Sequence, residues 1–280
     1  MFEVLSNETL APNLHRMTVR APRIATARQA GQFVIVRSEK GEERIPLTIG
    51  DADVEEGTIT LFIQALGAGT KKIVSRQPGE FLSDVAGPLG MPTDIEKWGK
   101  VACIGGGVGT AVLFPMAKAL ADLGNEVTTI IGGRSKPYII LADELAEFSS
   151  HVQITTDDGS FGQQGFVTTA LQALIDDPER RPEAVFAVGP VPMMRAISEL
   201  TRPYGIKTLV SLNPIMIDGT GMCGGCRVQI GDEVKFACVD GPEFDAHQVD
   251  FNSLMDRLTM YREQEQHCRL DDQLNARKAS

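Results

Sequence analysis

The stretch Asp218-Gly-Thr-Gly-Met-Cys223-Gly-Gly-Cys226, closed by Cys238, constrains this chain more than any other. Three of the five cysteines lie in it, spaced C-x2-C-x11-C and separated by glycines. That is the spacing of the last three ligands of a plant-type iron–sulfur site, C-x4-C-x2-C…C. Asp218 stands where the first cysteine of the pattern would be. A carboxylate can ligate iron, so D-x4-C-x2-C-x11-C reads as a four-ligand set with one oxygen donor. Backbone wound round closely spaced thiolates must reach positive φ and leave room for sulfide. Gly219, Gly221, Gly224 and Gly225 supply both. A structural zinc site on the same four residues is the competing reading, and spacing alone does not separate the two.

At 280 residues the chain has room for two ordinary domains and a small third module. Its 42% hydrophobic and 23% charged residues are those of a globular protein. No apolar run is long enough to span a bilayer. The start, Met-Phe-Glu-Val-Leu-Ser-Asn-Glu, lacks the basic region and apolar core of a signal peptide. A cytoplasmic protein with reduced thiols is therefore expected. A net charge of −10 argues against nucleic acid and against an anionic membrane surface as partners. Cys103, in an apolar strand, and Cys268, in a polar tail, have no partner nearby and read as incidental.

From Phe2 to about Trp98, short alternating or apolar runs are punctuated by turn residues. Candidate strands are His15–Arg20, Phe33–Arg37, Ile45–Ile49 and Thr58–Gln64, with a last one near Phe81. Strands so frequent suggest an antiparallel barrel or sandwich. A short amphipathic helix is expected over Gly69–Arg76. Arg44-Ile-Pro-Leu-Thr48 puts a cation before a strand, with Pro46 limiting the ladder. Gln64-Ala-Leu-Gly67-Ala-Gly69-Thr70 runs from strand through glycines into a helix, offering free N–H groups to a phosphate. Each signal has a plain turn as its alternative.

From Lys100 the texture changes to alternating strands and helices, which means a parallel sheet covered on both faces. Strands are expected at Lys100–Ile104, Glu126–Ile131, His151–Thr155 and Ala184–Val188, with helices between them. Ligands of such sheets bind beyond the carboxyl ends of the strands, where the Gly105, Gly132, Asp157 and Gly189 loops fall. Gly105-Gly-Gly107-Val108-Gly109 is nucleotide-binding in type, but Val112 occupies the third glycine position of the dinucleotide fingerprint. No acid ends the second strand; Arg134 and Ser135 are there, which leaves NADH and NADPH both open. Met193-Met194 reads as helix-start core.

Beyond Leu209, Val228–Cys238 alternates as a hairpin around Gly231-Asp232 and frames the cysteines. After Asp250 the chain turns polar, with Leu254, Leu258 and Tyr261 at helical spacing. That tail reads either as a docking helix for a partner or as a solvated end. The expected fold class is α/β plus all-β. The divisions are a β-barrel over 1–98, a parallel-sheet nucleotide domain over 99–208, a cluster module over 209–250 and a polar helical tail over 251–280.

In this order the parts resemble the ferredoxin–NADP⁺ reductase superfamily. More narrowly they resemble the branch holding the electron-transfer subunit of dihydroorotate dehydrogenase, the sulfide dehydrogenase β subunit and the small subunits of electron-bifurcating NADH-dependent ferredoxin:NADP⁺ oxidoreductases. The likeness covers about residues 1–250. It implies FAD between barrel and nucleotide domain, with Arg44, Pro46, Leu47 and Thr48 on the isoalloxazine and phosphates. Gln64, Gly67, Gly69 and Thr70 would lie toward the pyrophosphate. Gly107, Val108, Gly109, Arg134, Asp158 and Gly189 would line the site for NAD(H) or NADP(H). Asp218, Cys223, Cys226 and Cys238 would hold a [2Fe–2S] cluster. The dihydroorotate branch carries four cysteines; an aspartate at Asp218 is what the resemblance implies for the bifurcating small subunits.

The resemblance further implies a relay from NAD(P)H through flavin and cluster to a partner. That partner would be a large glutamate-synthase-like flavoprotein subunit with further iron–sulfur clusters, and ferredoxin would be reached through it. Neither a nucleic acid nor a membrane enters this scheme. No triad or paired-carboxylate site stands out, and the four histidines are scattered. The rival expectations are the dihydroorotate or sulfide-linked subunit, and a nucleotide-binding protein with structural zinc and no redox turnover.

Overall fold

The computed structural model describes residues 1–266; the polar stretch from His267 to Ser280, with Cys268, lies outside the described residues. The first strands are β1 (Phe2–Ala11), β2 (Leu14–Arg20), β3 (Phe33–Arg37), β4 (Ile45–Asp53), β5 (Thr58–Gln64), β6 (Phe81–Leu82) and β7 (Asp84–Leu89). Two short helices, α1 (Pro22–Ala27) and α2 (Ala68–Val74), interrupt them. The strands form one antiparallel sheet in the order β6-β1-β2-β5-β4-β3-β7. Its two edges are consecutive in the chain, with only Ser83 between them, so the sheet curls into a nearly closed barrel. The Ser83 N–H donates to the carbonyls of Arg37 and Ser38 at that seam.

Period-two patterning explains the filling. Ile59, Leu61 and Ile63 of β5 point inward and are fully buried, against Met17, Val19, Val34, Val36 and Ile49. β3 is buried on both faces. Val34 and Val36 face the barrel core, while Phe33 and Ile35 face a second core shared with the rest of the chain. The strand β1 was not among the expected ones. Its Ser6-Asn7-Glu8-Thr9 run hides the pattern, and only Val4 and Ala11 in it are buried.

The second sheet is built from β8 (Lys100–Gly106), β9 (Glu126–Gly133), β10 (His151–Thr156), β11 (Gln163–Gln164), β12 (Ala184–Val188) and β13 (Lys207–Ser211). These strands run parallel in the order β11-β10-β9-β8-β12-β13, as the alternation predicts. Helices α3 (Gly109–Asp122) and α4 (Ala142–Ala146) cover one face, α5 (Val167–Asp176) and α6 (Val191–Thr201) the other. Phe186 and Cys103 are packed side by side within it, and Cys103 is a core residue.

After β13 the chain leaves the sheet. It forms the glycine–cysteine loop and the hairpin β14 (Arg227–Ile230) and β15 (Glu233–Phe236), then returns as β16 (Glu243–Asp245), antiparallel to β13. A further helix, α7 (Phe251–Leu258), packs on β14 and α6 through Phe251 and Leu254. Asp250 caps it, accepting from the N–H groups of Asn252 and Ser253 at 3.0 Å each. The cluster loop and hairpin are therefore stitched to the second sheet by the chain's own edge strand. No described helix is long and apolar enough to cross a membrane.

A half-buried glutamate with a shielded carboxyl tip joins the barrel to that edge strand. Glu243 of β16 accepts a hydrogen bond from Thr93 Oγ1 at 2.7 Å, and its Oε2 is shielded without a partner. Burial, with Asp94 nearby, pushes its carboxyl up to about 7. The folded protein thus binds this proton more tightly than the unfolded chain. The joint is favoured below the ordinary carboxylate range and weakens as pH rises through about 7. Thermal melts between pH ~5 and ~8 are expected to show wild type losing stability faster with pH than Glu243→Gln. Identical slopes would contradict the assignment.

Candidate functional site

The residues expected at the flavin gather along one rim of the barrel. Arg44 stands exposed before β4, and Pro46 pairs with Ile35 of β3. The ladder from β4 to β5 starts only at Ile49, so the missing N–H of Pro46 disrupts nothing there. Pro46 and Thr48 are half-buried, whereas Leu47 points into the barrel core and offers only its backbone outward. Gln64 ends β5. Gly67 precedes α2 with nothing within 4 Å of where a Cβ would stand. Gly69 is packed, its would-be Cβ 2.5 Å from Glu43 Oε2, which brings the Arg44 loop onto the start of α2. Thr70 Oγ1 accepts from the N–H groups of Leu66 and Gly67 at 3.1 Å each, so this hydroxyl caps the helix. A cleft of about 110 Å³ opens beside Arg44, lined by Ile35, Arg37, Asp84 and Ala86.

The nucleotide loops converge at the point where the sheet order reverses, between β8 and β12, the usual ligand crevice of such sheets. Gly105 pairs with Val188, and Gly106 with Gly132, so the strand ends align. A Cβ at Gly109 would sit 2.3 Å from the Val188 carbonyl oxygen and 2.8 Å from Gly189 Cα. Only glycine allows that approach. Gly107 has φ +55° and nothing near it, leaving its face open. Val108 stands at the N-cap position of α3 without a side-chain capping bond, and the hydroxyl of buried Thr110 in the first turn has no partner. Thr110 went unremarked in the sequence, where nothing distinguishes it from a packing threonine. Arg134 and Asp158 meet through the Asp158 N–H and the Arg134 carbonyl at 3.3 Å. Ser160 hydrogen bonds hold the Asp158 carboxyl below its usual range. Met194 is core, as expected, while the Met193 thioether packs on both Gly106 and Gly189.

In the cluster loop, Gly219, Gly221 and Gly224 all have positive φ, between +64° and +83°. Cys226 and Cys238 are buried with their sulfurs 3.2 Å apart. Burial and the neighbouring Cys226 sulfur push the Cys238 thiol up. Cys223 is exposed on the rim, and its sulfur accepts from the Gly225 N–H at 3.4 Å. The two carboxylate oxygens of Asp218 accept from the N–H groups of Thr220 and Cys223, at 2.9 Å each. These backbone donors, with Arg44 adding its charge, hold that carboxyl below the usual range. The four expected ligands thus form two adjacent pairs, Asp218 with Cys223 and Cys226 with Cys238. Among the described residues no three such groups are drawn into a closed metal cage.

The two rims touch. Arg44 Nη2 donates to the Asp218 carbonyl at 3.4 Å, across 174 positions of sequence. A Cβ on Gly219 would lie 2.8 Å from Ile35 and 3.0 Å from Leu89, so the cluster loop rests directly on β3 and β7. The barrel strand β3 and the cluster loop share one wall.

The iron–sulfur cluster binding domain of dihydroorotate dehydrogenase B matches residues 213–250, and the oxidoreductase NAD-binding domain matches residues 103–199. Fold and loops together define a ferredoxin-reductase-type oxidoreductase subunit that carries an iron–sulfur domain. A dihydroorotate dehydrogenase B (NAD(+)) electron transfer subunit homolog of Thermotoga maritima is 44% identical over 263 residues, 94% of this chain and 92% of that one. The electron transfer subunit of Geobacillus thermodenitrificans is 32% identical over 255 residues, 88% of this chain and 96% of that one. The solved structure of an NADH-dependent reduced ferredoxin-NADP oxidoreductase, described for its flavin-based electron bifurcation, superposes with a TM-score of 0.91. It is 42% identical and 97% of each chain is covered. The chain belongs to the family of dihydroorotate dehydrogenase B electron transfer subunits and their homologues.

The close approach at Gly109 yields a test. Gly109→Ala drives a methyl group into the backbone of Val188 and Gly189, which no side-chain rotation relieves. NAD(P)H affinity is expected to fall at least about tenfold, or ~1.4 kcal/mol, by fluorescence titration. Unchanged affinity would mean that these two loops do not form the nucleotide site.

Proposed function

We propose that this chain takes reducing equivalents from NAD(P)H at the Gly105–Gly109 and Gly189 loops and releases them singly through the Asp218–Cys238 loop. The contact of Arg44 with Asp218 carries the reading, because it sets the barrel rim and the cluster loop against each other. The residues fit two groups. The open Gly67 turn and the cleft beside Arg44 suit FAD, with Arg44, Pro46, Leu47, Thr48, Gln64, Gly67, Gly69 and Thr70 along it. Three thiols and a carboxylate, already paired two by two in a glycine-rich loop, suit a [2Fe–2S] cluster at Asp218, Cys223, Cys226 and Cys238. These groups when bound supply hydride acceptance and the change from two-electron to one-electron transfer.

The protein's own part is position and charge. Gly107, Val108, Gly109, Arg134, Asp158 and Gly189 hold the dinucleotide against the barrel. Arg44 places a cation between flavin and cluster loop, where charge accumulates. The division into 1–98, 99–208 and 209–250 assigns one redox-active partner to each part. Electrons leave at the exposed Cys223 rim. Met222, 88% exposed, lies on that rim, and Ile217, Met260 and Tyr261 line one shallow cavity beside it. This face suits a large partner subunit, glutamate-synthase-like with further clusters and passing electrons to ferredoxin, in the cytoplasm where thiols stay reduced.

The family names favour a second partner, a dihydroorotate-oxidising subunit. Asp218 and the likeness to the bifurcating enzyme support ferredoxin:NADP⁺ oxidoreduction as the first reading. Cofactor analysis of the anaerobically purified protein tests the reading, with Asp218→Cys beside it. The expected result is flavin, iron and sulfide in both, with an altered cluster spectrum and midpoint potential in the variant. A colourless, zinc-containing wild type would overturn it.

A further inference from the structure

Helix α7 belongs to a tail that the sequence leaves open as a docking helix or a solvated end, yet it puts one side chain against the cluster loop. Arg257 Nη2 donates to the Gly225 carbonyl at 2.9 Å, across 32 positions. Gly225 lies between Cys223 and Cys226, directly before the buried Cys226. The Nε of the same guanidinium is shielded from solvent and has no partner. Among the described residues no carboxylate forms an ion pair with Arg257. Arg257 is half-buried as a residue, and a partly desolvated cation without a counter-charge is unfavourable. The helix that carries it is nevertheless well anchored, by the Asp250 cap and by buried Phe251 and Leu254.

An iron–sulfur cluster with four anionic ligands is a net anion in either oxidation state and gains one more negative charge on reduction. We propose that Arg257 is a positioning residue for that cluster, clamping the Cys223–Cys226 loop through the Gly225 carbonyl and supplying the counter-charge that favours its reduced form. This rests on the cluster reading above. Charge near a cluster is one of the levers that set its potential. The guanidinium does so here from outside the ligand set, on an element that no ligand spacing reveals.

The test is a redox titration of the anaerobically purified chain, following the paramagnetic signal of the reduced cluster. Arg257→Gln is expected to make reduction three- to tenfold less favourable, a shift of about 30–60 mV to more negative potential at ~59 mV per decade. Arg257→Lys keeps the charge and is expected to stay close to wild type. Arg23→Gln, which removes an equal charge from α1 of the barrel, should not move the potential. An intact cluster in Arg257→Gln that titrates with wild type overturns the proposal. If the Gln variant loses its iron, wild-type iron content and potential in Arg257→Lys support the clamp, and loss in both variants overturns the charge argument. A wild-type protein without iron and sulfide is a different result, and removes the cluster reading itself.

Discussion

The arrangement depends on one packing constraint: the cluster loop must lie flat on strands β3 and β7. Gly219 makes this possible, since a Cβ there would press on Ile35 and Leu89. β3 answers the demand by being apolar on both faces, with Val34 and Val36 filling the barrel while Phe33 and Ile35 receive the loop and the second core. The barrel is thus more than a scaffold for its own rim. Its strand β3, next to the edge strand β7, is the floor on which the cysteine module stands, and Arg44 reaches the loop from the adjacent strand's entry.

The other joints follow from that placement. β16 borrows its ladder from β13, so the module cannot swing away without breaking the edge of the second sheet. Met91 donates to the Gly241 carbonyl at 2.7 Å, and Thr93 to Glu243, so the linker after the barrel is tied to the same strand. α7 closes the module from the far side. A nucleotide crevice, a barrel rim and a thiol loop are thereby held by three independent contacts. Electron transfer needs fixed separations, and each contact supplies part of that rigidity.

The parallel sheet was legible because its strands are short apolar runs alternating with helices, a pattern with few other solutions. Most barrel strands were legible from period-two patterning, but β1 was not, its polar middle being stabilised by pairing with β2 instead of burial. The thiols and Asp218 announced themselves by spacing. What spacing could not show was contact at long range: Arg44 with Asp218 and Thr93 with Glu243. Arg257 at Gly225 belongs with them. In each case an ordinary polar residue acquires its role only from what the fold sets beside it. Leu47 illustrates the converse, since its place in the Arg44–Thr48 motif is shared with a place in the barrel core.

Those long-range contacts make a claim about function that goes beyond the presence of two binding motifs. On the proposed function, the nucleotide loops, the barrel rim and the cysteine loop work as one path. The most direct measurement is anaerobic addition of NADH or NADPH to the purified chain, recording flavin absorbance and the cluster's paramagnetic signal together. Flavin is expected to bleach and the cluster signal then to appear without any added mediator. Bleaching with no cluster signal, in a protein shown to contain iron and sulfide, would contradict it.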